Sequence, residues 1–205
     1  VLIDHKITEY LDKAAAGTAV PGGGSVAALN AALAAGLTEM VANLTIGKKG
    51  YEEVEADMKA LADKASQLRK KLTAAIDQDA DAYTEVMAAY RLPKTTDGET
   101  AARKQKIQDT IKQAALVPLA VARDALAVIE LAGQAIGKGN KNAVSDGAVA
   151  AMNARTGALA AIYNVKINLS SIDDDRFGDK LAQEVKELET RVTQKENEVL
   201  SQVVV

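Results

Sequence analysis

The chain has no cysteine and no tryptophan among its 205 residues, and only one phenylalanine, one histidine and three prolines. Without cysteine there is no disulfide, no thiolate nucleophile and no thiolate metal site, a composition that fits a reducing, cytoplasmic setting. The lone histidine, His5, and scattered carboxylates give no ligand spacing for a metal. Aromatic residues make up 3% of the chain, and the net charge of −3 comes without a basic block. The stacking platform and basic face of a nucleic-acid binder are therefore both missing. No long apolar leader is seen in Val1-Leu2-Ile3-Asp4-His5-Lys6. The one membrane-like run, Gly22 to Ile46, is rich in alanine and carries Asn30, Glu39 and Asn43. It reads as a buried helix of a soluble protein, with no membrane partner.

What the chain does have is alanine and helical periodicity. The length fits a single domain, residues 1–205, able to bury a core without disulfides. No alternating strand pair and no repeat is found. Helices are expected over Ile3–Ala15, Ser25–Thr45, Glu52–Tyr90, Glu99–Ala135, a stretch ending near Ser170, and Lys180–Gln202. Pro118 marks an expected kink or break. The fold class is all-α, a bundle of six or seven helices, several of them long. Ala27, Ala28, Ala31, Ala32, Ala34, Ala35 and Gly36 let neighbouring axes come close, which places their helix at the bundle centre or at a dimer interface.

Polar residues then stand out. After the turn Gly139-Asn140-Lys141-Asn142, Ser145 reads as a helix N-cap. Asp146, Asn153, Asn164 and Asn168 follow at steps of 7, 11 and 4 residues. At about 100° per residue these steps leave each side chain within roughly 40° of the next. A column of amides in apolar surroundings is either a hydrogen-bonded register device or a ligand wall. The pattern alone favours the register device. With no histidine near it, Ser145 is not a serine nucleophile.

On the long helix, Asp79 lies three residues after Ile76 and four before Tyr83, on the apolar stripe that begins at Leu61. A core-facing carboxylate has a raised pKa unless it is paired. Functional and structural uses both stay open for it. Asp77 and Asp81 fall on the solvated side. In Pro21-Gly22-Gly23-Gly24-Ser25, backbone amides at a helix start can face an anion or a flat ligand, although a tight turn needs the same glycines. The Lys-Ser/Thr pair of a P-loop is missing. Lys48, Lys49, Arg91 and Lys94 are either solvated or placed to meet ligand carboxylates.

In this order and spacing, several segments resemble the cyclodeaminase/cyclohydrolase family of folate enzymes. They are Pro21 to Ser25, Met40 to Lys49, Asp77 to Tyr83, Tyr90 to Lys94, Gly139 to Asn142 with Ser145-Asp146, and Asn164 to Leu169. The likeness covers nearly the whole chain. It implies an all-α homodimer with a folate site in a cleft, and no cofactor or metal beyond the tetrahydrofolate substrate. It makes Asp79 and then Asp146 the catalytic candidates. Gly23, Gly24 and Ser25 join the substrate-binding set. Asn140, Ser145, Asn164 and Asn168 belong there too, the asparagines at the pterin edge or the attacking water. Lys48, Lys49 and Lys94 are expected at the glutamate tail. The run Ser145 to Ala150, and the lack of a fused transferase domain, are similar to the methenyltetrahydrofolate cyclohydrolases. Hydrolysis of 5,10-methenyltetrahydrofolate to 10-formyltetrahydrofolate is therefore the expected activity. The alternatives are cyclodeamination of 5-formiminotetrahydrofolate and a non-catalytic folate-binding module.

Overall fold

The computed structural model describes residues 1–204, which form six α-helices and no strand. They are α1 (Ile7–Ala15), α2 (Gly23–Asn43), α3 (Glu55–Tyr90), α4 (Asp97–Lys138), α5 (Val144–Leu169) and α6 (Asp175–Leu200). Short 3-10 turns precede α1, α3 and α5. The expected N-terminal helix is thus split, a turn at Leu2–Asp4 coming before α1.

Helix α2 stands at the centre and packs against α3, α4 and α5. Ala27, Ala28, Ala31, Ala34 and Ala35 are fully buried on it. Each buried methyl contributes only about 0.8 kcal/mol, so alanine serves here mainly by letting the axes approach. The closest approach is at Gly157 of α5, where an added Cβ would lie 2.8 Å from the Ala27 carbonyl oxygen and 2.9 Å from the Ala31 nitrogen. Only glycine permits backbone against backbone at that distance. By composition and length α2 could cross a membrane, and in this fold 56% of its apolar stretch is buried, against α3, α4 and α5.

Capping explains where α4 and α6 begin, each earlier than expected. Thr96 Oγ1 accepts from the Glu99 N–H at 3.2 Å, and Glu99 Oε2 accepts from the Thr96 N–H at 3.1 Å, a reciprocal capping box. Asp174 Oδ1 accepts from the Phe177 N–H at 3.1 Å and starts α6. Helix α6 lays Leu181, Val185, Leu188, Val192 and Val199 across α4 and α5, the spacing of one amphipathic stripe.

Pro118 does not break α4, which runs through it from Asp97 to Lys138. Proline lacks the N–H that would bond the carbonyl four residues earlier, here that of Ala114. The Asn168 Nδ2 of α5 donates to the Ala114 oxygen at 3.4 Å. A side chain from the neighbouring helix thus occupies the acceptor that the proline leaves open.

Candidate functional site

The apolar stripe of α3 is buried through Leu61, Ala65, Leu72 and Ile76, then opens: Tyr83 is 42% exposed and Tyr90 45%. Asp79 sits at that transition, half-buried. Its carboxylate meets the first turn of α2, where Ser25 Oγ lies 3.1 Å from Asp79 Oδ2 and 2.9 Å from the Ile76 carbonyl oxygen. One hydroxyl carries one proton, so these two acceptors share a single donor. Burial pushes the Asp79 pKa up, and the hydroxyl and backbone N–H of Ser25 pull part of it back. The carboxylate therefore does two jobs. It caps α2 from the side, and it holds a proton to higher pH than an ordinary aspartate does.

The glycines belong to this contact. A Cβ on Gly24 would stand 1.9 Å from Asp79 Oδ1, and one on Gly23 would stand 3.3 Å from Asn164 Nδ2. Bare backbone is what lets α2 receive both side chains. Gly23, Gly24, Asp79, Tyr83, Ala114 and Asn164 line a cleft of about 210 Å³. Asn164 spends its Nδ2 on the Ala160 carbonyl at 2.9 Å, which leaves Oδ1 as an acceptor toward a ligand. Four of the residues expected at a site, Gly23, Gly24, Asp79 and Asn164, are thus brought together by α2, α3 and α5, with Ser25 directly behind them.

Residues 6–187 match the family described as formiminotransferase-cyclodeaminase. The chain belongs to that family. It is 46% identical to the methenyltetrahydrofolate cyclohydrolase of Methylorubrum extorquens over 185 residues, covering 90% of this chain and 89% of that protein. It is 34% identical to the formimidoyltransferase-cyclodeaminase of Rattus norvegicus over 91% of this chain, and spans only 35% of that longer protein. A solved structure of formiminotetrahydrofolate cyclodeaminase from Thermotoga maritima superposes with a TM-score of 0.88 at 32% identity, over 98% of this chain and 97% of that one.

The other expected residues fall elsewhere. Asn140 is 7% exposed, and its polar atoms are engaged. Its N–H donates to Thr45 Oγ1 at 2.9 Å, Nδ2 donates to the Leu44 oxygen at 3.2 Å, and Oδ1 accepts from the Asn142 N–H at 3.1 Å. It latches the α4–α5 turn to the end of α2 and does not line the Asp79 cleft. Ser145 is not the N-cap, because α5 already starts at Val144. Asp146 is half-buried and stands, with Ser145, beside that latch, as do Lys48 and Lys49 in the α2–α3 turn. The latch end and the Asp79 end are separated by the length of α2, about 30 Å. Lys94 is exposed in the α3–α4 loop beyond Tyr90.

The asparagine column is likewise not one wall. Asn153 faces a larger apolar cavity, Asn164 the Asp79 cleft, and Asn168 repairs α4 through Ala114. Neighbouring helices differ along the 26 residues of α5, so one stripe meets three surroundings.

Two residues that do not line the Asp79 cleft also escaped sequence reasoning. Asp77 was expected in solvent, but its Oδ1 accepts from the Leu2 N–H at 2.5 Å and ties the N-terminal turn to α3. Tyr10, on α1, is 8% exposed, and its hydroxyl is buried with no hydrogen-bond partner. The amphipathic pattern of α1 could mark Tyr10 as inward, but not as unpaired.

Proposed function

We propose that this protein is a methenyltetrahydrofolate cyclohydrolase, a cytoplasmic enzyme of one-carbon metabolism that hydrolyses 5,10-methenyltetrahydrofolate to 10-formyltetrahydrofolate. The observation that carries this is the cleft-facing Asp79 carboxylate with its raised pKa, seated on bare glycine backbone. The likeness to the Methylorubrum cyclohydrolase over nine-tenths of both chains supports it.

The substrate's amidinium carbon, between N5 and N10, is a cation and already electrophilic. Its approach favours the ionised form of Asp79 and stabilises the bound cation in turn. Water adds to that carbon while Asp79 takes one of its protons, giving a neutral carbinolamine. Asp79 then returns the proton to N5, the C–N5 bond breaks, and the hydroxyl loses its proton as the formyl C=O forms on N10. One water is consumed and one proton is released. No metal or cofactor is needed for this sequence. Asn164 Oδ1 accepts from the pterin edge, and the first turn of α2 lies against its flat face. Asp146 has no place in the chemistry of this protomer's cleft.

We further infer a homodimer. A cleft of 210 Å³ is smaller than the roughly 300–1,000 Å³ of ordinary small-molecule sites. Leu33 (55% exposed) with Leu11 and Ile7 borders an apolar cavity of about 710 Å³ that Asn153 also lines, and Val149 and Met152 are exposed on α5. A two-fold axis across α2 would cover these side chains. It would also set the Lys48–Lys49 turn of one protomer near the Asp79 end of the other, where those lysines could meet the glutamate tail.

The assay follows the methenyl chromophore at known enzyme concentration, with the uncatalysed hydrolysis subtracted. Loss of the chromophore from methenyltetrahydrofolate is expected; a rate equal to buffer alone refutes the reading. The likeness to the Thermotoga and rat cyclodeaminases favours a second reading, ring closure of 5-formiminotetrahydrofolate with release of ammonia. Appearance of the chromophore from that substrate, at a higher kcat/KM, would establish it instead.

A further inference from the structure

Helix α3 sets Asp79 and Tyr83 four residues apart, and both line the cleft of about 210 Å³. Positions four apart on a helix face the same way, with Cβ atoms about 5–6 Å from each other. Tyr83 is 42% exposed and belongs to none of the buried apolar clusters. Packing in the core therefore gives no reason for a large aromatic here, in a chain with one phenylalanine and no tryptophan. Among the described residues lining the cleft it is the one aromatic, and none of them is lysine, arginine or histidine. What the lining offers is of the opposite sign. Asp79 brings a carboxylate, Asn164 the Oδ1 left free by its bond to Ala160, and Tyr83 the negative face of a π system. Such a lining suits a cation.

We propose that the Tyr83 ring is a specificity determinant: it holds the cationic methenyl substrate by its π face and thereby selects it over the neutral formyl product. The inference rests on the folate reading of the cleft. A cation engaged by Asp79 comes within about 6 Å of a ring one helical turn away, the range of cation–π attraction. The amidinium of 5,10-methenyltetrahydrofolate carries that charge, and 10-formyltetrahydrofolate does not. Addition of water removes the charge, so the attraction acts on the bound substrate and fades before the C–N5 bond breaks. The ring thus lowers KM without raising kcat, and it has no hold on the product that leaves.

Graded substitution at Tyr83 tests it. Tyr83→Phe keeps the ring, whereas Tyr83→Leu keeps apolar bulk without one. Tyr83→Leu should raise KM for methenyltetrahydrofolate about five- to tenfold, with kcat unchanged or higher. The inhibition constant of 5-formyltetrahydrofolate, a stable folate without the amidinium charge, should barely move. Tyr83→Phe should stay close to the wild type for both ligands. Phenylalanines with successive ring fluorines, placed at Tyr83, keep the shape and weaken the π face, so KM should climb stepwise along the series. That series carries the test even if Tyr83→Leu does not fold. An unchanged KM in a folded Tyr83→Leu, an equal loss of both ligands, or a fluorine series without a trend overturns the proposal, while turnover by the wild type leaves the folate reading standing. A wild type that neither hydrolyses methenyltetrahydrofolate nor binds 5-formyltetrahydrofolate overturns the folate reading and this inference together.

Discussion

Among single residues, Asp79 makes the sharpest predictions. Its pKa is raised in the fold, so the folded chain binds that proton more tightly than the unfolded chain does. Above the raised pKa the fold bears the cost of a buried charge; as pH falls through it, the cost disappears. Asp79→Asn should therefore match or exceed wild-type stability at pH 8, and this advantage should shrink by pH 4, as read from urea midpoints. Turnover should drop about 10²–10⁴-fold. Gly24→Ala presses a methyl to within 1.9 Å of Asp79 Oδ1. It should displace the carboxylate from Ser25, cost about 1–3 kcal/mol and lower kcat, measured by melting and by initial rates. Asp79 was legible from its place between Ile76 and Tyr83 on one helical stripe. Asn140 was not, because its partner Thr45 lies 95 positions away in the chain, and no local pattern shows which carbonyls and hydroxyls a turn will meet.

Among the elements, α4 shows how one helix depends on another. Asn168 Nδ2 donates to the Ala114 oxygen and also, at 2.9 Å, to the Asn164 oxygen. Asn168→Ala should destabilise the wild type by about 1 kcal/mol. In a Pro118→Ala background the restored N–H satisfies Ala114, so the same change should cost measurably less. A double-mutant cycle in urea reads the difference; additive costs would show that Asn168 and Pro118 act independently. The six helices were legible because periodicity and caps are local signals. The passage of α4 through Pro118 was not, because it rests on an amide supplied from α5. The asparagine stripe failed for the same reason. Periodicity reports which side chains share a face, but not what that face meets along its length.

For the molecule as a whole, the long alanine-rich α2 joins two ends that sequence reading had merged into one cleft. If the protein is a homodimer, Leu33 becomes buried between protomers. Leu33→Glu should then convert a sedimenting dimer to a monomer at micromolar concentration while the helical circular-dichroism signal is kept. A wild type that sediments as a monomer removes the dimer. The glycine-mediated contact of α5 with the α2 backbone has one more consequence. The buried residues Ala27, Ala28, Ala31, Ala34 and Ala35 of α2 should exchange their amide hydrogens with deuterium only when the entire protomer opens, at the global unfolding free energy. Those of α1 should exchange by local fraying, orders of magnitude sooner. The larger apolar cavity, lined by Tyr10 of α1 and by Leu29 and Leu33 of α2, would then lie at the boundary between the slowest and fastest parts of the molecule.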